Sequence, residues 1–244
     1  MSEQPGFSFS FSDPAAGLHC AGRSGGAAFL LSPAGAGAPA AVDVVAAGDR
    51  FELAIAGVGV ALLEPLGPPF TYGGHGRSEV LCRLRGKGVR GRTLDGFGCV
   101  SHGGGELGGL ALARSIWICF GAELAFALLA ERPARGRGHG DERLAACVGR
   151  GAPLEPSPLE DPRLSSTYRE DGQLLRAGLE LWEPSLEADA DAHERARALR
   201  IGGETIAAAE LPQTAERQTS IAFMAWHHAG LEGIGCYTIE RTVR

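Results

Sequence analysis

The chain has 244 residues, 44% of them hydrophobic and 21% charged, and a formal net charge of −6. That length buries one large core or two small ones, and the acidic balance gives no general attraction to phosphate, which argues against nucleic acid as a partner. Glycine is the outlier at 37 residues; it has no three-residue period and sits among apolar runs, so collagen and plain disorder are excluded.

Strand signals dominate the first two thirds. Phe7-Ser8-Phe9-Ser10-Phe11-Ser12 alternates aromatic and hydroxyl side chains, the period of a half-buried strand. Asp13-Pro14-Ala15-Ala16-Gly17 follows as a turn. Strands are then expected over 18–23, 27–31, 41–45, 51–55 and 58–63, and two more over 78–84 and 88–94, joined near Gly86. Arg83, Arg85, Lys87, Arg90 and Arg92 fall mostly at every other position, so on a strand they line a solvated side. A second series runs over 115–120, 124–131, 143–148, 173–182, 196–201, 219–225 and 235–243. The only helix candidate is 185–199, rich in Ala, Glu and Arg, whose composition equally suits a surface loop. With Pro153, Pro156, Pro158 and Pro162, the stretch 151–166 reads as an irregular excursion.

Many short strands with frequent turns predict an all-β protein. The glycine-dense stretch 103–109 divides the two series and suggests units at 1–108 and 109–244, each sized for a small antiparallel barrel of about eight strands. Met1 to Pro5 carry no positive charge and no apolar leader core follows. The longest apolar stretch, Ile116 to Leu129, is interrupted by Gly121 and Glu123. A soluble cytoplasmic protein without membrane insertion is therefore expected. Cys20, Cys82, Cys99, Cys119, Cys147 and Cys236 are widely spaced and read as buried thiols, not as disulfides or a zinc site.

The densest chemistry lies in Asp95-Gly96-Phe97-Gly98 and His102. Asp95-Gly96 suits a tight turn or bulge, Gly98 admits another backbone or a ligand, and His102 follows at a strand end. Glu240 on the last predicted strand is a second acid–base candidate. His75 is expected in a loop at a barrel mouth. His227 and His228 are adjacent on a strand, face opposite sides and make poor co-ligands for one metal. The two Gly-x-Gly-x-x-Gly matches, beginning at Gly86 and Gly103, do not open helices, so no dinucleotide fingerprint is present. Trp117, Trp182, Trp226, Phe120, Phe126 and Phe223 supply bulk for a core or an apolar cavity.

From Phe9 to Glu240 the chain resembles the tandem lipocalin-like family of AttH-like proteins and carotenoid 1,2-hydratases. The resemblance is carried by Phe11–Leu18, the strand expected over Gly88–Leu94, Asp95-Gly96-Phe97-Gly98 with His102 and Gly105, Ile116–Leu124, and Gly233–Glu240. The family's middle signature, Asp-Gly-x-Gly-x-Arg-Asp-His-x-Trp-Gly, is matched at Asp95, Gly96, Gly98, His102 and Gly105. Val100, Ser101 and Gly104 stand in place of its arginine, second acid and tryptophan. Ser101 cannot supply the carboxylic acid thought to protonate the substrate double bond, and Gly104 implies a roomier pocket.

The resemblance implies two lipocalin-like antiparallel β-barrels in tandem around a mainly apolar pocket. It implies a cofactor-independent (de)hydratase, isomerase or cyclase acting on a terpenoid- or polyketide-like hydrophobic molecule, with a lipophilic-ligand carrier as the alternative. His102 would be the general acid/base, Asp95 and Glu240 its partners, and Trp117, Trp226, Phe97 and Tyr237 the substrate-shaping side chains. No metal is expected, and nothing in the sequence fixes the oligomeric state.

Overall fold

The computed structural model describes residues 7–23, 26–47, 49–72, 76–88, 91–103, 109–136, 138–184, 198–211 and 217–243. Seventeen strands and a 3-10 turn (His139–Asp141) make up its regular structure, with no α-helix among the described residues. The first nine are β1 (Phe7–Asp13), β2 (Leu18–Arg23), β3 (Ala27–Ser32), β4 (Gly35–Ala47), β5 (Arg50–Ile55), β6 (Gly59–Pro65), β7 (Phe70–Thr71), β8 (Ser78–Gly88) and β9 (Thr93–His102). They form one sheet in the order β6-β5-β4-β3-β2-β1-β9-β8-β7, and β6 also pairs with β8. That pairing closes eight strands into a ring and leaves the two-residue β7 outside it.

The other eight form a second closed barrel in sequence order. They are β10 (Leu110–Cys119), β11 (Leu124–Pro133), β12 (Arg143–Arg150), β13 (Glu155–Tyr168), β14 (Leu174–Trp182), β15 (Ala198–Leu211), β16 (Arg217–His228) and β17 (Leu231–Thr242). The fold is thus all-β, two antiparallel barrels in tandem, as expected.

Side-chain alternation sorts each strand between two environments. Phe9 and Phe11 enter the first barrel with Leu53, Leu63, Leu84 and Val100. Ile116, Ile118, Phe126, Leu179, Met224 and Trp226 fill the second. A third apolar cluster, including Phe70, Leu81, Cys99, Trp117, Leu129 and Phe223, lies between the barrels. The polar side of β1 therefore does not face solvent: Ser10 and Ser12 are buried. Where the barrels meet, Leu154 N donates to Leu66 O at 2.8 Å. The six cysteines are free and buried. Burial raises their thiol pKa values, for Cys20 and Cys236 to about 12.

Several sequence expectations are corrected. Asp95-Gly96 is not a turn but part of β9, paired with Arg85 and Leu84 of β8, while Asp95 N donates to Asp13 Oδ2 at the end of β1. Its glycine answers to a close approach, because a Cβ on Gly96 would lie 2.1 Å from Ser12 O. The β8–β9 connection lies past Gly88, not near Gly86, and closes with Gly88 N donating to Arg92 O. Gly86 is mid-strand, opposite Leu94 and Ala61.

The proline-rich stretch is a strand as well. Glu155 to Leu159 pairs with β12, whereas β14 pairs with β13 from Glu160 onward. Pro156 and Pro158 thus sit where a ladder partner exists on one side, so their missing N–H can face away from it. Pro162 falls in the register shift between Glu160 and Arg163. The helix candidate 185–199 lies outside the described residues except for Ala198 and Leu199, which open β15. His75, Gly104 and Gly105 also lie outside them. No helix among the described residues is long and apolar enough to cross a membrane.

Candidate functional site

A cleft of about 410 Å³ runs between the outer faces of the two barrels. Strand register dictates what it presents. On the first barrel, Ser101 lies between Glu79 and Ser8, and Ser8 lies opposite Arg23, so a polar row crosses β8, β9, β1 and β2. The next row on the same face is Leu81, Cys99, Ser10, Ala21 and Phe29. On the second barrel, Glu240 lies between Ala113 and Thr219, Thr238 between Ser115 and Ile221, and Cys236 between Trp117 and Phe223. Both faces therefore grade from polar to apolar in the same direction.

At the polar end, Glu240 is 6% exposed. Its Oε1 accepts hydrogen bonds from Arg23 Nη2 at 2.8 Å and Arg217 Nη1 at 3.0 Å. Its Oε2 lies 3.7 Å from Arg77 Nη1. Arg77 Nη2 donates to Ser115 Oγ at 3.0 Å, and Arg77 Nε stands 3.4 Å from Glu79 Oε1. Tyr72 donates to the other Glu79 oxygen at 2.8 Å. Burial pushes the Glu79 carboxyl pKa up, opposed by Arg77 and the Tyr72 hydroxyl. At the apolar end, Trp117 Nε1 donates to Ser10 Oγ at 2.8 Å, which fixes the indole against Ala21, Phe29 and Ile221 along the cleft.

The site residues expected from sequence divide sharply. Glu240 and Trp117 line this cleft together. His102 and Asp95 do not, and they are not near each other either. They are seven positions apart on one strand, an odd number, so their side chains leave opposite faces. His102 packs at the rim of the first barrel between Phe7 and Phe51, with ring centroids 5.7 and 5.9 Å away. Asp95 points outward to Arg83, which donates to it at 2.7 Å, while the Arg83 guanidinium covers the Phe97 ring at 4.7 Å.

Phe97 itself is part of the packed inter-barrel cluster. Trp226 and Tyr237 are inside the second barrel. Tyr237 accepts from Arg114 Nη1 at 3.2 Å and lies 3.1 Å from Ser166 Oγ. His227 is exposed, whereas His228 contacts Phe120 and Phe126 and bonds to Arg200 O. Among the described residues, no group of three or more His, Cys, Asp or Glu is arranged to hold a metal ion.

Sequence reasoning missed Arg23, Arg77, Arg217 and Glu79. Arg77 and Glu79 alternate with Ser78 and Val80, so they mark the outer face of a strand, which in a lone barrel faces water. Only the second barrel turns that face into an interior. A charged pair beside a run as apolar as Val80-Leu81-Cys82 was the available signal.

The fold is shared with solved structures at low sequence identity. The chain is similar to kievitone hydratase from Nectria haematococca, with a TM-score of 0.55, 11% identity, and 98% of this chain and 90% of that one covered. It is also similar to CghA, solved with Sch210972, with a TM-score of 0.54, 10% identity, and 97% and 88% covered. No protein-family model matches the chain, and no curated protein is significantly similar to it in sequence. The likeness agrees with the tandem-barrel resemblance carried by the sequence motifs, and at this identity it is a likeness of fold.

Proposed function

We propose that the chain is a cofactor-independent (de)hydratase, isomerase or cyclase whose substrate, a hydrophobic terpenoid- or polyketide-like molecule, lies in the cleft between the barrels. One observation carries this reading: a buried carboxylate, Glu240, and three guanidiniums share a cleft with the apolar wall of Trp117, Phe29 and Ile221. Arginine N–H groups held by a rigid sheet are suited to an oxygen on which negative charge develops, as in enone hydration, enolisation or a carbonyl-assisted cyclisation. Glu240 is the group in the cleft able to take up and return a proton. Trp117, fixed by Ser10, orients the apolar body. The solved hydratase and the CghA complex share this fold, which supports the general reaction type. Six buried free thiols suit the reducing cytoplasm.

The test is native mass spectrometry of freshly purified protein to identify a retained apolar molecule, followed by incubation of that molecule with wild type and Glu240→Gln. Conversion by wild type and a loss of about 100-fold or more in the variant are expected, the scale of lost general acid–base catalysis. Retained turnover in Glu240→Gln with loss in His102→Ala would move the chemistry to the rim of the first barrel.

A second reading, a carrier without chemistry, is favoured by the dispersal of the acid–base candidates, since Glu240 enters the cleft without His102 or Asp95. Recovery of the retained molecule unaltered after long incubation would select it.

A further inference from the structure

The geometry points to an amphipathic organic anion as the occupant of the cleft, its carboxylate or enolate oxygen held among Arg77, Arg217 and Arg23 and its apolar body against Trp117 and Phe29. This rests on reading the cleft as the ligand site and adds the charge of the ligand.

The first support is charge. In a chain of net charge −6, the described residues of the cleft lining set the guanidiniums of Arg23, Arg77 and Arg217 around the carboxylate of Glu240. Even with Glu79 counted behind Arg77, cations outnumber anions among the described residues of the lining. Low-dielectric walls on both sides focus that excess onto whatever enters.

The second support is a guanidinium fixed at the cleft wall. Arg77 is held with a side-chain exposure of 11%, and its buried Nε has no hydrogen-bond partner. The contact from its Nη1 to Glu240 Oε2, at 3.7 Å, is beyond hydrogen-bond length. Nε is closed off and faces Glu79, so what Arg77 offers the cleft is a guanidinium charge held in place by Ser115 and Glu79.

The third support is shape and polarity. Row by row, the cleft passes from Ser8, Ser101, Arg23 and Glu240 to Ala21, Phe29, Trp117 and Ile221. An inorganic anion would leave the apolar half of a 410 Å³ cleft without contact. A neutral lipophile would cover the guanidiniums of the cleft without giving them an oxygen to bond, which is costly. An anion on a hydrophobic body answers both. Because Arg23 is half exposed and joined to Glu240 at the rim, it can turn from the carboxylate to the ligand, whereas Arg77 stays fixed by Ser115 and Glu79.

The experiment compares two probes of one shape, 2-naphthoate and 2-naphthamide, by isothermal titration calorimetry. On the wild type, 2-naphthoate should bind about tenfold tighter, the worth of one charge-assisted hydrogen bond. Arg217→Gln should narrow the gap. So should Arg77→Met combined with Glu79→Gln, which avoids leaving a buried carboxylate alone. Equal binding of the two probes, lost together in Trp117→Ala, would overturn the anion preference while leaving the cleft as a ligand site. A naphthoate preference untouched by these arginine variants, or no binding of either probe, would overturn it too. The enzyme reading is decided separately, by turnover in Glu240→Gln.

Discussion

Trp117 Nε1 donates a hydrogen bond to Ser10 Oγ across 2.8 Å, and this bond ties the outer face of the second barrel to the outer face of the first. Both residues are buried, Trp117 at 4% exposure, where they line the wall of the cleft. Ser10→Ala leaves the indole N–H orphaned and should destabilise the protein by about 1–3 kcal/mol. Trp117→Phe removes the donor with its ring volume only partly replaced. In equilibrium denaturation, the double variant should cost less than the sum of the two single ones, since an absent pair leaves no orphan. Strict additivity would mean that the bond couples nothing.

Gly96 tests why this chain is rich in glycine. Its absent Cβ would fall 2.1 Å from Ser12 O, a backbone atom of the paired strand β1. Gly96→Ala must part β9 from β1 and should cost about 3 kcal/mol or more, read as a lowered denaturation midpoint or loss of soluble protein. Gly202→Ala is the control: a Cβ there meets nothing within 4 Å, and its melt should match the wild type closely.

The same glycines show what was legible in the sequence. The alternation of Phe7 to Ser12 identified β1, and apolar runs identified most hairpins, because period-2 patterning is local. Asp95-Gly96 misled because turn propensity is a weak preference, overridden once these residues pair with Arg85 and Leu84 of β8. Gly96, Gly98, Gly233 and Gly235 all fall in segments that carry the family resemblance. In the structure each meets close neighbours: Ser12 O and Ser10 O for the first two, Cys119 O and Trp117 O for the last two. They are places where barrel strands crowd. The cleft itself was hidden because it forms between two faces that each look solvent-exposed in their own strand pattern. What could have been read is the odd spacing of Asp95 and His102, which already sets them on opposite sides.

His19 gives a pH dependence with a definite sign. It is buried at 3% exposure against the second barrel, with its ring stacked on Phe223 at 5.2 Å and Nδ1 2.8 Å from Ser12 Oγ. Desolvation lowers its pKa from 6.5, against the smaller opposing pull of Asp13. The unfolded chain therefore takes up this proton at higher pH than the folded one, and stability falls as pH drops below about 6.5. Glu79, whose pKa is raised, acts in the opposite sense: its contribution is greatest below its ordinary range and is lost as pH rises. His19→Gln keeps a hydrogen-bonding side chain without the titration. Denaturant melts between pH 8 and pH 5 should show a smaller acid-side loss in His19→Gln than in wild type. Parallel curves would exclude His19 as the source.

The last prediction concerns the interior of the second barrel, where polarity serves the structure and not the cleft. Arg114 and Glu142 side chains are each 4% exposed, and Arg114 Nη2 reaches both Glu142 oxygens at 2.6 Å. Arg114 Nη1 also donates to Tyr237, which stands 3.1 Å from Ser166 on β13. The guanidinium thus links β10 to β17 and to the segment before β12, through the barrel's inside. Arg114→Met removes the bidentate partner of a buried carboxylate and should cost about 3–5 kcal/mol. Adding Glu142→Gln to it should recover part of that loss, because an amide is cheaper to bury than a carboxylate that has lost its guanidinium. The readout that separates this network from the cleft is ligand binding: both variants should hold 2-naphthoate as the wild type does, at temperatures where they remain folded. Weakened binding in a folded Arg114→Met protein would show that the barrel interior and the cleft are coupled through Tyr237 and β17.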